Sequence, residues 1–472
     1  MNIQINVRTS GLVLSILFFT LGVAAEDFTN SINAYLQHRG ETEKRAGCIV
    51  VGLVDEHGRR YVSYGTLDNG TSQTADENTV FGIHSETCVY TALLFEAMVE
   101  QGELKPDDPV AKYLPKTVRM PTRNGDQITL RHLETETAGL PNFVERLQPR
   151  DPNNPLADYT MDKMYAFLST CQLPRNPGAR FEHGGIAVAL LGHVMEVRAG
   201  TNFESLLVDR ILRPLGMEST RFTLTPELKP ILATEHFPSG KPRPATDWAA
   251  LAPLAGLHSS ASDLLKFVSV NLGLTQSGLG PLLQKNVAHF PWFIPGEENQ
   301  AIAQIGGGGM YNTAYCGFDK SQRRGLVVLS TSDDGRYNAL AIGRFLLEAC
   351  EWRADCRPMA TNADSLDYSR YVGQFEVKSN SSPPPSKIDI RQVGNRLFVQ
   401  VIGSRTSPID LILPPGSGEL LPRSEAAFFE RLSGATVTFS LSRPNVIGLT
   451  LHHGNKVISY TRVSDRAPKP TQ

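Results

Sequence analysis

The stretch Phe81–Leu94 reads FGIHSETCVYTALL, and it decides how the chain is to be understood. A short apolar run, Val80–Ile83, gives way at Ser85 to a run with helical spacing. Ala92, Leu93, Leu94, Ala97, Met98 and Val99 recur as one helix would need, and Gly102 supplies a C-terminal stop. Ser85 therefore stands at the head of an apolar helix, with Cys88 one turn later on the same face. A hydroxyl there is a candidate nucleophile, but a serine alone is a weak one and requires a proton acceptor.

Working outward, CIVVGLVDEHGRRYVSYGTLD reads as two strands about a DEHG turn. AVALLGHVMEVRAG reads as a helix ending at Gly200, and ASDLLKFVSVNLG as a helix capped by Ser260 or Ser262. NTAYCGFDKSQRRGLVVLSTSD reads as a hairpin, and NALAIGRFLLEAC as a late helix. After Cys356 the composition changes: RPMATNADSLDYS is polar and aperiodic, the mark of a linker. Beyond it come alternating runs, YVGQFEV, KIDIRQV, RLFVQVIG, PIDLILP, ATVTFSLS, VIGLTLHH and KVISYTRV, with Gly394-Asn395 and Gly454-Asn455 suited to tight hairpins. The expected division is a targeting segment over 1–25, an α/β domain over 26–358, a linker over 359–369, an all-β module over 370–465 and a tail over 466–472.

Length and composition bound the function. With 472 residues, 41% of them hydrophobic, the chain has ample material for packed cores. A formal net charge of -2 gives no basic footprint for nucleic acid and no polybasic membrane patch. Arg8, the apolar GLVLSILFFTLGVAA, and small residues at Val23 and Ala25 fit an export signal cleaved before Glu26, leaving no membrane span and a secreted or periplasmic product. An oxidising compartment permits disulfides; Cys350 and Cys356 are the best-placed pair of the six cysteines, and no spacing matches a metal site. Nothing calls for a cofactor. Asn69 and Asn380 begin triplets of the glycosylation type. The Gly306–Gly309 run reads as close backbone approach to a ligand and lacks the Lys-Ser/Thr of a phosphate loop.

Taken in order, VFGIHSETCVYTALLFEAMVEQGELKPDDPVAKYLP, ITLRHLETETAGLP, NPGARFEHGGIAVALLGHVME, RILRPLGMEST, AGLHSSASDLLKF and AQIGGGGMYNTAYCGFDKSQRRGLVVLSTS resemble successive blocks of the serine β-lactamase and penicillin-binding protein superfamily. They match the branch with class C β-lactamases, D,D-carboxypeptidases and related esterases. The C-terminal module resembles the small lipocalin-like barrel appended to many such proteins. The resemblance implies an α/β fold, an antiparallel sheet with helices packed on it, followed by a small all-β barrel.

The resemblance also implies which positions carry chemistry. The nucleophile falls on Ser85. The S-x-x-K lysine falls on Cys88, the tyrosine of Tyr-x-Asn on His183 and its asparagine on Gly185. The cationic residue of the third motif falls on Gln304 with its glycine retained as Gly306, and the histidine of HTSGLP falls on Glu136. The oxyanion hole is implied to be the N–H groups of Ser85 and Gly307, which side-chain substitution leaves in place. His183 titrates near neutrality and is a chemically reasonable replacement base, oriented by Glu136 or Glu182. Cys88 reads as a small buried filler of the lysine's place. Gln304 lacks the charge to hold a carboxylate, so neutral acyl compounds fit better than peptide C-termini or β-lactams.

Three functions follow as expectations. One is a serine acyl hydrolase of altered or reduced activity acting on a small acyl or peptide ligand. The second is an inactive relative that binds such a ligand, and the third an acyl-transfer or cyclising enzyme on the same scaffold. Oligomeric state has no signature in the sequence.

Overall fold

A computed structural model describes residues 47–141, 149–237, 241–285, 302–308, 312–331, 338–347, 367–376, 387–394, 396–402, 417–422, 424–430, 435–442, 445–453 and 456–464, with scattered positions between 29 and 37. The expected signal segment, the Cys350/Cys356 pair, Gly309, Asn380, PIDLILP and the 359–366 part of the linker lie outside these residues. The chain divides into two compact units, one of them Arg45–Leu347.

In that unit the principal elements are β1 (Cys48–Asp55), β2 (Gly58–Gly65), β3 (Val80–Gly82), α1 (Thr87–Glu100), α2 (Gly185–Ala199), β4 (His258–Ser260), α3 (Ala261–Asn271), β5 (Ile302–Gly308), β6 (Asn312–Asp319), β7 (Arg324–Thr331) and α4 (Asn338–Leu347). An antiparallel sheet runs β2-β1-β7-β6-β5, so β5 is an edge strand. β6 and β7 are buried at every position, which is why RGLVVLST reads as an unbroken apolar run and shows no alternation. Period-two geometry divides the faces. A Cβ on Gly52 or Gly325 would meet Leu265 or Val268 of α3, whereas one on Gly306 would meet Leu340 of α4.

α1 is almost wholly buried, and α2 is buried from Gly185 to Met195 apart from His193. Their apolar residues surround the axis, as expected of helices packed on all sides. Gly200 ends α2 in the left-handed conformation at φ 68°, the αL cap expected there. Of the two candidate caps for α3, Ser260 takes the part: its side chain accepts the Asp263 N–H.

The C-terminal strands β8 (Gly373–Glu376), β9 (Lys387–Val393), β10 (Arg396–Ile402), β11 (Ser417–Pro422), β12 (Ala427–Glu430), β13 (Thr436–Ser442), β14 (Asn445–His453) and β15 (Lys456–Ser464) close into an eight-stranded barrel. Two of these, SGELLP and AFFE, escaped the alternation pattern because glycine, proline and a short span blur it. The interior is filled by side chains. The Tyr371 ring stands 5.0 Å from Phe428 and 4.8 Å from Phe439, so this is a packed core like that of other small barrels.

Candidate active site

Ser85 does not lie on α1 itself. It occupies a 3-10 turn, His84–Glu86, that joins β3 to the helix. The turn is unusual: Ile83 sits in the bridge region at φ -102°, ψ 0°, and His84 is left-handed at φ 47°. A non-glycine residue there is uncommon and carries strain. Ser85 is half-buried, and its hydroxyl has no hydrogen-bond partner among the described residues. The Ser85 N–H is also left over by the turn, since Glu86 N–H bonds Ile83 O and Thr87 N–H bonds His84 O and Ser85 O.

The glycine-rich edge strand meets this turn backbone to backbone. A Cβ at Gly307 would fall 1.9 Å from Ile83 O and 3.3 Å from His84 Cβ, so only glycine permits the approach. Gly306, on the opposite face, packs against α4. Gln304 shares that face by alternation; it is 5% exposed, and its Oε1 accepts a 2.9 Å bond from Tyr315 Oη. The amide at the third-motif position is therefore engaged inside the sheet.

Two residues that the sequence did not single out stand beside Ser85. His84 is 3% exposed; its Nε2 donates to Asn312 Oδ1, and Trp248 lies edge-on with ring centroids 6.0 Å apart. Burial holds the His84 imidazole down to about 4, so it is neutral near pH 7. Glu86 is 1% exposed, with both carboxyl oxygens unpartnered among the described residues. Burial pushes it well above the usual carboxylate range, so it is a neutral acid turned into the core. The signal for both was their place next to Ser85; their burial was not legible.

Cys88 lies in the first turn of α1 and is 2% exposed. Its thiol donates to Leu254 O at 3.3 Å and packs on Val188, Leu254, Ala255 and Trp248. A helix N-terminus lowers a thiol pKa, but burial dominates here and raises it well above the ordinary value, with Glu136 a smaller contribution in the same direction. The thiol is thus enclosed by apolar side chains at the position where the resemblance puts a lysine.

The contact with Val188 seats the start of α1 against the start of α2, and His183 immediately precedes α2. His183 Nδ1 donates to Glu136 Oε2 at 2.7 Å. The same oxygen accepts Gly184 N–H at 2.8 Å, and Glu136 O accepts Glu182 N–H at 3.0 Å. The Glu136 side chain is 1% exposed and that of His183 42%. Glu136 is itself left-handed at φ 51°. Of the two possible orienting carboxylates, then, Glu136 takes the part, while Glu182 pairs with Arg175 at 2.5 Å. The Glu136 bond raises the His183 pKa above the ordinary imidazole value against an opposing effect of burial. With Nδ1–H committed, the free lone pair of a neutral ring lies on Nε2. No hydrogen bond joins Ser85 to His183 among the described residues. Gly185, at the asparagine position, is buried as the first residue of α2. The described residues contain no cluster suited to a metal ion.

The family model described as Beta-lactamase matches residues 32–349. The chain is 28% identical over 240 residues to the D-alanyl-D-alanine-carboxypeptidase/endopeptidase AmpH of Escherichia coli strain K12, covering 50% of this chain and 60% of that protein. It is 28% identical over 250 residues to a beta-lactamase of Pseudomonas fluorescens, covering 52% and 66%. The match thus spans about three-fifths to two-thirds of those relatives' lengths. A beta-lactamase/D-alanine carboxypeptidase structure from Yersinia pestis, complexed with citrate, superposes with TM-score 0.55 at 23% identity, over 64% of this chain and 92% of that one. A class C beta lactamase from Rhodobacter sphaeroides gives TM-score 0.55 at 20% identity, over 67% and 97%. These two likenesses carry the fold.

Proposed function

Since the chain belongs to the beta-lactamase family of serine hydrolases, we propose that it is an acyl hydrolase in which a histidine–glutamate couple stands in for the family's lysine and tyrosine. The observation that carries this reading is the 2.7 Å bond from His183 Nδ1 to Glu136, which leaves Nε2 on the half-exposed side chain without a partner among the described residues. Carboxylate, imidazole and hydroxyl are the parts of a Ser-His-acid triad.

The steps balance as follows. His183 Nε2 takes the proton of Ser85 Oγ, in the substrate complex or through one water. Oγ bonds to the acyl carbon, and the carbonyl oxygen becomes an oxyanion facing the Ser85 and Gly307 N–H groups. Collapse expels the leaving group, which takes the proton from imidazolium. Water then attacks the acyl-enzyme, giving its proton to His183 and restoring Ser85 as the acid departs. With Gln304 engaged by Tyr315 and a buried carboxylate behind His183, the site suits neutral acyl compounds better than carboxylates. Export of the chain is part of this reading; it rests on Arg8 and the apolar run before Glu26, and a mature N-terminus at Glu26 in peptide mapping would support it.

A neutral fluorophosphonate, followed by mass spectrometry, tests the mechanism. The expected result is an adduct on Ser85 whose formation rate falls about 10²–10⁴-fold in His183→Ala. An adduct at the wild-type rate in that variant would overturn the couple. A second reading, a ligand binder without turnover, is favoured by the buried Cys88 in the lysine's place; it predicts no adduct with ligand binding intact.

A further inference from the structure

We propose that Asn312 and His84 are positioning residues that brace the two halves of the oxyanion hole against each other. The inference rests on the reading of the Ser85 and Gly307 N–H groups as the hole's donors.

Those donors belong to segments far apart in sequence, and their spacing is not set by either segment alone. Gly307 is held by the sheet, where it pairs with Ala314 of β6. Ser85 is held by a strained turn. Asn312, at the start of β6 and two residues from Ala314, reaches both sides of that turn. Its Oδ1 accepts from His84 Nε2–H, and its Nδ2 donates to Gly82 O at 3.3 Å. One amide therefore ties the strand entering the turn and the residue before Ser85 to β6, the strand that pairs with β5 and holds Gly307 in register.

The brace has work to do because His84 is left-handed at φ 47°, a conformation that is costly for a side-chain-bearing residue and persists only where its surroundings over-determine it. Asn312 is 1% exposed and His84 3%, so the bond between them is shielded from water. Loss of either partner would leave a buried polar group unsatisfied. Among the described residues His84 Nδ1, buried, has no partner, so within them the ring's one hydrogen bond is that of Nε2. The turn has little freedom on its other side, where Ile83 O abuts Gly307 Cα. Release of the Asn312 grip would let the turn relax away from that contact and widen the gap between the two N–H groups.

Neither residue touches substrate in this account, so the test must separate a hole defect from a folding defect. Phenylboronic acid forms a tetrahedral adduct on the serine oxygen and needs the hole, whereas planar benzamide binds without it. In Asn312→Ala, phosphonylation of Ser85 and boronic acid affinity should fall together by about 10²-fold, with benzamide affinity unchanged. His84→Gln in the otherwise native protein, which keeps a donor for Asn312 Oδ1, should show only a small part of that loss. Should Asn312→Ala fail to fold, His84→Phe, which keeps a ring and the strained φ of 47° but removes the donor to Asn312 Oδ1, should show the same selective loss. Unchanged phosphonylation and boronic acid affinity in Asn312→Ala, or in the variant that replaces it, would overturn the brace while leaving the serine mechanism standing. Equal losses of boronic acid and benzamide would reduce the pair to a purely structural role. A wild-type protein that takes neither phosphonate nor boronic acid at Ser85 would overturn both readings.

Discussion

The turn that holds Ser85 and the strand that holds Gly307 meet through main-chain atoms, whereas Glu136 and His183 meet through side chains. The first pair depends on conformation: a left-handed residue before the serine and a glycine whose missing Cβ admits Ile83 O. The second depends on residue identity: a carboxylate and an imidazole 2.7 Å apart, where the resemblance places a histidine and a tyrosine. The contrast shows which parts of such a site tolerate rewriting. A main-chain donor survives any side-chain exchange that spares the backbone path, so the proposed hole would keep its geometry under changes that replace side-chain partners.

The largest effect should come from the main-chain side. Gly307→Ala places a methyl group 1.9 Å from a backbone carbonyl that cannot rotate away. Overpacking typically costs about 1–3 kcal/mol, and displacement of an oxyanion donor costs about 10²–10³-fold in rate. Thermal unfolding and fluorophosphonate labelling should both show it; a variant with wild-type labelling would break the comparison at its first term.

On the side-chain side, Glu136→Gln should act through pH. A base must be neutral to accept a proton, so the rate falls as pH drops through the His183 pKa. The Glu136 bond raises that pKa, which sets the acid limb of the profile above 6.5. Removing the carboxylate should move the limb down toward 6.5 and lower the plateau, because the ring loses its orienting acceptor. The same sign governs stability: the pair's contribution is fully present below the unfolded imidazole pKa and is lost as pH rises through the raised one. A limb that stays in place would remove Glu136 from the couple.

The smallest effect is expected at Cys88. Cys88→Ser keeps a donor for Leu254 O and nearly the same volume, so labelling of Ser85 should be unchanged. Native Cys88 should also resist iodoacetamide, being 2% exposed with its pKa raised by burial. Rapid alkylation would overturn its reading as a filler.

Much of the fold was legible because it is written in order and period. The apolar runs of β1, β6 and β7, the Gly200 stop and the series of blocks from Cys48 to Thr331 all lie where expected. The barrel was legible as a class, though SGELLP and AFFE were not read as strands, since alternation fails over short or glycine-bearing spans. At the site, the positions of Ser85, His183 and Gly307 followed from the blocks. The choice between Glu136 and Glu182 did not, because Glu182 is adjacent to His183 while Glu136 lies 47 residues away and only folding brings it within hydrogen-bond reach. His84, Glu86 and Asn312 were missed for the same reason: burial and long-range partners leave no local pattern.

By itself, then, the sequence determined the family scaffold, the place of Ser85 at the head of a helix and the presence of Cys88 where the resemblance puts a lysine, since each is a matter of residue identity at a spacing that local geometry fixes. Only the tertiary structure decided which carboxylate holds His183, that Gln304 is engaged by Tyr315, and that Asn312 of β6 grips the turn before Ser85. Those are contacts between segments distant in sequence or turned by a single dihedral angle, and they exist only once packing has brought the segments together and excluded water from between them.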